Sequence, residues 1–179
     1  HAGILAVELE RRGALGGLRL GAQILEQHVE QFRARRLGLG ARNAECVRRL
    51  TKLLVQRVGN HAEVSVQNPI QLGPRTELYP DIALLEVRQQ GYRLSHPGPK
   101  DVLLLIEAGD TSFETDRTTK IPRYAEAGIP EIWLIDLPGS EVHVYTEPSF
   151  GSYKNIRAFS GADALQATLL PACRLTVDE

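Results

Sequence analysis

Apolar and polar positions alternate along the chain with two different periods, and the change of period marks its organisation. Between residues 23 and 36, Ile24, Leu25, Val29 and Phe32 recur at roughly helical spacing, which predicts a helix. Gly38 and Gly40 break it. Asn43 reads as the N-cap of a second helix, with Val47, Leu50, Leu54 and Val58 on one face and Gly59 at its end. Beyond Gly59 the period shortens. Val64, Val66 and Ile70 alternate with polar residues, predicting a strand interrupted at Pro69. Gly73-Pro74-Arg75-Thr76 is a turn, residues 81–85 form a second strand after Pro80, and residues 89–100, with Gly91, Pro97, Gly98 and Pro99, form a loop. The unbroken apolar run 102–106 predicts a strand buried on both faces. A polar segment, 109–115, leads into a helix through about Ala127 with Gly128 as its C′ residue. Pro122 is tolerable in that helix only near its start. Residues 132–135 form another buried strand, joined through Pro138-Gly139-Ser140 to 142–145 as a hairpin. Fainter strand patterns cover 153–159 and 175–177.

Helices, then strands, a helix and more strands predict an α/β protein with a mixed β-sheet flanked by helices. The length of 179 residues suits one domain spanning 1–179, and no shift of composition marks a boundary. At 42% hydrophobic and 24% charged the composition is that of a globular protein. No apolar run approaches the roughly 20 residues that span a bilayer, and residues 1–8 lack the basic start of a signal peptide. Cys46 and Cys173 lie far apart without metal-ligand spacing, so buried free thiols and a cytoplasmic location are expected. The net charge of −1 argues against a dedicated nucleic-acid coat but not against an enzyme with one local binding patch. The basic positions Arg33, Arg35, Arg36, Arg42, Arg48, Arg49, Lys52 and Arg57 read as solvated helix faces.

Two acids stand where a carboxylate needs a reason. Asp81 opens a strand and Glu107 closes the most hydrophobic run in the chain. Carboxylates at strand ends point from a sheet edge into a cleft, where oxygen ligands suffice for a hard cation such as Mg²⁺. Each acid, taken alone, reads more readily as a turn cap or an arginine partner. Asp116 and Lys120, four apart, share one helix face. Lys120 can set an ammonium beside the carboxylates, or the two can form an exposed salt bridge.

The ordered set YPDIA at 79–83, LIEAGDTS at 105–112, DRTTK at 116–120, YAEAGIPE at 124–131 and WLID at 133–136 resembles the Uma2 (DUF820) family, a branch of the PD-(D/E)XK restriction-endonuclease-like superfamily. The resemblance runs from about residue 44 to the C-terminus and includes VQNPI at 66–70. It implies a restriction-endonuclease-like core, with Asp81 and Glu107 binding Mg²⁺ (or Mn²⁺) and the Ala108 carbonyl assisting. In the usual E-x-K form the lysine would stand at position 109, where this chain has Gly109. Family members supply it from the next helix, which points to Lys120 as the catalytic lysine, with Asp116 and Tyr124 supporting. Trp133 is expected in the core. Relatives carry an acidic hairpin before the first core helix and a histidine at its start. Here residues 1–42 are atypical, 16–42 reading helical and basic, and Asn43 takes the histidine's place; Glu45 or Glu30 could substitute for the missing acid.

The expected function is therefore metal-dependent endonuclease hydrolysis of phosphodiester bonds in nucleic acid, with DNA as the first substrate to consider. The alternative is an inactive nuclease-fold scaffold that binds nucleic acid or a protein partner. A homodimer paired through residues 142–145 or the N-terminal helix is compatible with either. No membrane partner is expected.

Overall fold

A computed structural model describes residues 40–179. The helix expected over 23–36, its arginines and Glu30 lie outside the described residues. Within them, α1 (Ala41–Val58) precedes β1 (Glu63–Val66), β2 (Ile70–Gly73), β3 (Thr76–Leu78), β4 (Ile82–Leu85) and β5 (Val102–Gly109). A helical segment follows: α2 (Phe113–Thr115), a π-turn (Asp116–Lys120) and α3 (Ile121–Glu126). Then come β6 (Glu131–Asp136), β7 (Glu141–Ser149), β8 (Ser152–Ser160), β9 (Ala164–Ala167) and β10 (Leu170–Thr176).

Six strands form one sheet in the order β1-β4-β5-β6-β7-β8. The β5–β6 pair is parallel and the other pairs are antiparallel, so the sheet is mixed. The parallel pair needs a crossover, and the helical segment supplies it. Alternation along β5 divides the core. Leu104, Ile106 and Ala108 pack with Val47, Leu54 and Val58 of α1 and with the β9–β10 hairpin. Leu105 packs on the opposite face with Ile121, Tyr124 and Ala125 of α3 and with Ile70 and Leu78 of the β2–β3 hairpin. All eight residues of β5 are buried, which is why its sequence is apolar without alternation.

Several details depart from the sequence reading. The helix expected to start from Asn43 starts earlier, with Gly40 as its cap, and Asn43 turns inward instead. Pro69 does not interrupt one strand but separates two: β1 joins the main sheet, and β2 pairs with the unforeseen β3. The short strand β9 was likewise not expected. Residues 142–145 lie in β7, whose edges are occupied by β6 and β8, so they have no free edge for a two-fold partner.

Pro122 sits just after the π-turn, where the Ile121 N–H reaches back to the Asp116 carbonyl. A proline lacks an N–H and crowds the carbonyl four residues earlier, so a widened turn accommodates it. At the far end Gly128, at φ +79°, allows the Ile129 N–H to bond Tyr124 O at 3.0 Å and its own N–H to bond Ala125 O at 3.1 Å. This closes the helix as its sequence predicted. Among the described residues no helix is long and apolar enough to cross a membrane.

Candidate active site

Strand register brings the two acids together. Ile82 of β4 lies opposite Ile106 of β5, and one step further along both strands come Asp81 and Glu107. Cross-strand neighbours share a sheet face. Asp81 is then clipped to the main chain, its Oδ2 accepting the Ala108 N–H at 3.0 Å. Gln67, at the end of β1, supports it twice: its N–H bonds Asp81 O at 3.0 Å and its Nε2 reaches Asp81 Oδ1 at 3.3 Å.

Glu107 is fully buried, and the helical segment provides both of its side-chain partners. Lys120 Nζ stands 2.8 Å from Oε2, and the Tyr124 hydroxyl donates to Oε1 at 2.6 Å. Asp116 Oδ1 lies 2.9 Å from the same ammonium. The pair four residues apart is thus not an exposed salt bridge, because Asp116 is itself buried and Lys120 is turned to the strand end. Burial pushes Glu107 up to about 7; Lys120 opposes that shift, while the negative charges of Asp81 and Asp116 add to it. Burial would lower Lys120, but the Glu107 and Asp116 carboxylates outweigh it and hold the ammonium protonated well above its ordinary range.

The structure therefore gathers Asp81, Glu107, Asp116, Lys120 and Tyr124 at the end of the central strands. It does not bring Glu45 there. That residue is exposed and pairs with Arg48 at 2.8 Å; two positions beyond Asn43 on a helix, it falls on the opposite side. The Ala108 carbonyl accepts Asn43 Nδ2 at 2.6 Å. Trp133 is buried in the core, its indole N–H donating to Glu131 at 2.7 Å. Asn43 and Gln67 are the two neighbours that sequence reasoning did not place. Asn43 read as a cap and as the residue in the histidine's place, and Gln67 lay within the VQNPI stretch, but neither pattern says that the side chain meets Ala108 or Asp81. A cavity of about 360 Å³ beside His61, Glu86, Leu103 and Leu170 contains none of these groups.

Gly109 explains why no lysine stands two residues after Glu107. A Cβ at that position would lie 2.7 Å from Phe113 Cα and 2.9 Å from its N, both held by the start of α2. Gly109→Lys should therefore destabilise the protein by about 1–3 kcal/mol, the range for overpacking. Urea unfolding of the variant checks the statement.

A family model, Uma2, described as "Putative restriction endonuclease", matches residues 35–178. Among solved structures, that of "a putative nuclease belonging to DUF820" from Anabaena variabilis ATCC 29413 aligns with a TM-score of 0.53 and 19% identity, over 77% of this chain and 76% of that one. Identity at that level bears on the fold alone, and the mixed sheet with its flanking helices agrees with it. No curated protein matches. With the family match spanning most of its length, the chain belongs to the Uma2 family.

Proposed function

We propose that the chain is a divalent-cation-dependent endonuclease that hydrolyses phosphodiester bonds in nucleic acid, with DNA as its first substrate. The observation that carries the reading is the Lys120 ammonium 2.8 Å from the buried Glu107 carboxylate, across the β4–β5 register from Asp81. Charge balance supports a cation there: the negative charges of Asp81 and Asp116 both act on Glu107, and the single ammonium of Lys120 faces three carboxyl groups. Among the described residues no cluster of three or more His, Cys, Asp or Glu side chains is arranged as a metal site. Two carboxylates with neutral oxygens nonetheless suit Mg²⁺ or Mn²⁺, which keep several of their waters. Each Glu107 oxygen, though hydrogen-bonded, retains a further lone pair.

Asp81 and Glu107 would hold the cation, with the Ala108 carbonyl on the same side of β5. When bound, it would lower the pKa of a water and polarise the phosphate. Lys120 places positive charge where the phosphoryl oxygens gain negative charge. Asp116 keeps the ammonium in place, and Tyr124 fixes the Glu107 rotamer from the buried side. The net charge of −1 and the atypical residues 1–42 favour a second reading: an inactive nuclease-fold scaffold that binds nucleic acid or a protein partner.

The two readings separate on one measurement. Incubation with supercoiled and linear DNA and with RNA should give cleavage in millimolar Mn²⁺ or Mg²⁺ and none in EDTA. Absence of cleavage, together with a melting temperature that Mn²⁺ does not move, is the result expected of the scaffold.

A further inference from the structure

Asn43 Oδ1 is a buried side-chain atom with no hydrogen-bond partner among the described residues. The residue is only 6% exposed. Its amide orientation is determined, because Nδ2 donates to the Ala108 carbonyl at 2.6 Å. Exchanging the two ends would press two acceptors together. Oδ1 is therefore the end left over, and a buried acceptor is costly to leave unmet.

The position of this oxygen gives it meaning. Ala108 follows Glu107 directly, and its N–H holds Asp81 Oδ2. One residue of β5 thus links Asn43 to both acids. Carboxylates gather at this strand end, Asp81 on the Ala108 N–H, Glu107 next to Ala108 in sequence and Asp116 beyond, and the Lys120 ammonium is already bonded to Glu107 and Asp116. An oxygen in such a field is satisfied by a cation, or by a water on that cation, and not by an anion.

We propose that Asn43 is a third oxygen donor of the cation site, its Oδ1 meeting a hard divalent cation or a water that the cation carries. The assignment rests on the cation-dependent reading of the Asp81–Glu107 pair. It gives the first turn of α1 a part in the site: Nδ2 orients the Ala108 carbonyl while Oδ1 serves the cation.

The test uses the full chain and Mn²⁺ alone, with calorimetric binding and melting curves in EDTA and in Mn²⁺. Wild type should bind and Asp81→Asn should not. Asn43→Ala should weaken binding by about 10- to 100-fold. Asn43→Asp sets a carboxylate against the Ala108 carbonyl, so it should melt below wild type in EDTA and gain more from Mn²⁺ than wild type does. If Asn43 only fastens α1 to β5, Asn43→Ala binds Mn²⁺ as wild type does and Asn43→Asp is destabilised equally with and without the ion. That result overturns the proposal while Asp81-dependent binding stands. If Asn43→Ala does not fold, the Asn43→Asp comparison decides by itself. A wild type that binds no Mn²⁺ overturns the cation reading, and this assignment with it.

Discussion

Asp81→Asn and Glu107→Gln should each lower Mn²⁺-supported cleavage by about 10²–10³-fold or more, the scale on which loss of one electrostatic group acts in catalysis, while the protein remains folded. The amide substitutions are chosen for what they preserve. Asn at 81 can still accept the Ala108 N–H that now bonds Oδ2. Gln at 107 can still accept the Tyr124 hydroxyl, and Lys120 keeps Asp116 at 2.9 Å. What both remove is negative charge at the strand ends. Truncation is a poorer probe, because Glu107→Ala would take away one of the two carboxylates that hold the Lys120 ammonium and would also empty a fully buried side-chain site. Initial rates on plasmid DNA, with melting curves as the control for folding, test the prediction. Wild-type cleavage by both variants would falsify the site.

Leu104→Ala should destabilise the protein by about 2–5 kcal/mol, the range for emptying a core leucine site. Leu104 is fully buried in the central strand, opposite Leu84 on β4, and belongs to the cluster shared with Leu54 of α1 and the β9–β10 hairpin. Three separate elements meet around it, so a cavity there cannot collapse without moving one of them. Urea unfolding followed by circular dichroism gives the difference directly. A loss below about 1 kcal/mol, the ordinary size for a point substitution, would mean that α1 closes over the gap.

The central part of this architecture was legible in the sequence because its burial is extreme. Residues of β5 and β6 are apolar on both faces, and only a covered strand permits that. The closing Gly128 and the turn at Pro138-Gly139 announced themselves by backbone chemistry. The strand ends holding Asp81 and Glu107 could be read for the same reason: a carboxylate bounding such a run is conspicuous. Residues that depend on tertiary partners were not legible. Asn43 has the composition of a cap, and only the approach of α1 to the end of β5 makes it an inward-facing amide. The strands β3 (TEL) and β9 (ALQA) carry one large apolar residue each, so no period declares itself. Glu45 looked eligible because one-dimensional proximity to Asn43 conceals the turn of the helix between them.

The widened turn ahead of Pro122 has an implication for how the protein can vary. It decouples two helical phases. Downstream, Ile121, Tyr124 and Ala125 are committed to the core against β5 and β6. Upstream, Phe113–Thr115 follow a separate winding, joined to the first by the five-residue π-turn Asp116–Lys120. A residue gained or lost in the stretch between Gly109 and Asp116 can therefore be absorbed as a change of winding, without turning Tyr124 out of the core. The segment thus works as a splice between the approach to the strand end and the half anchored in the core.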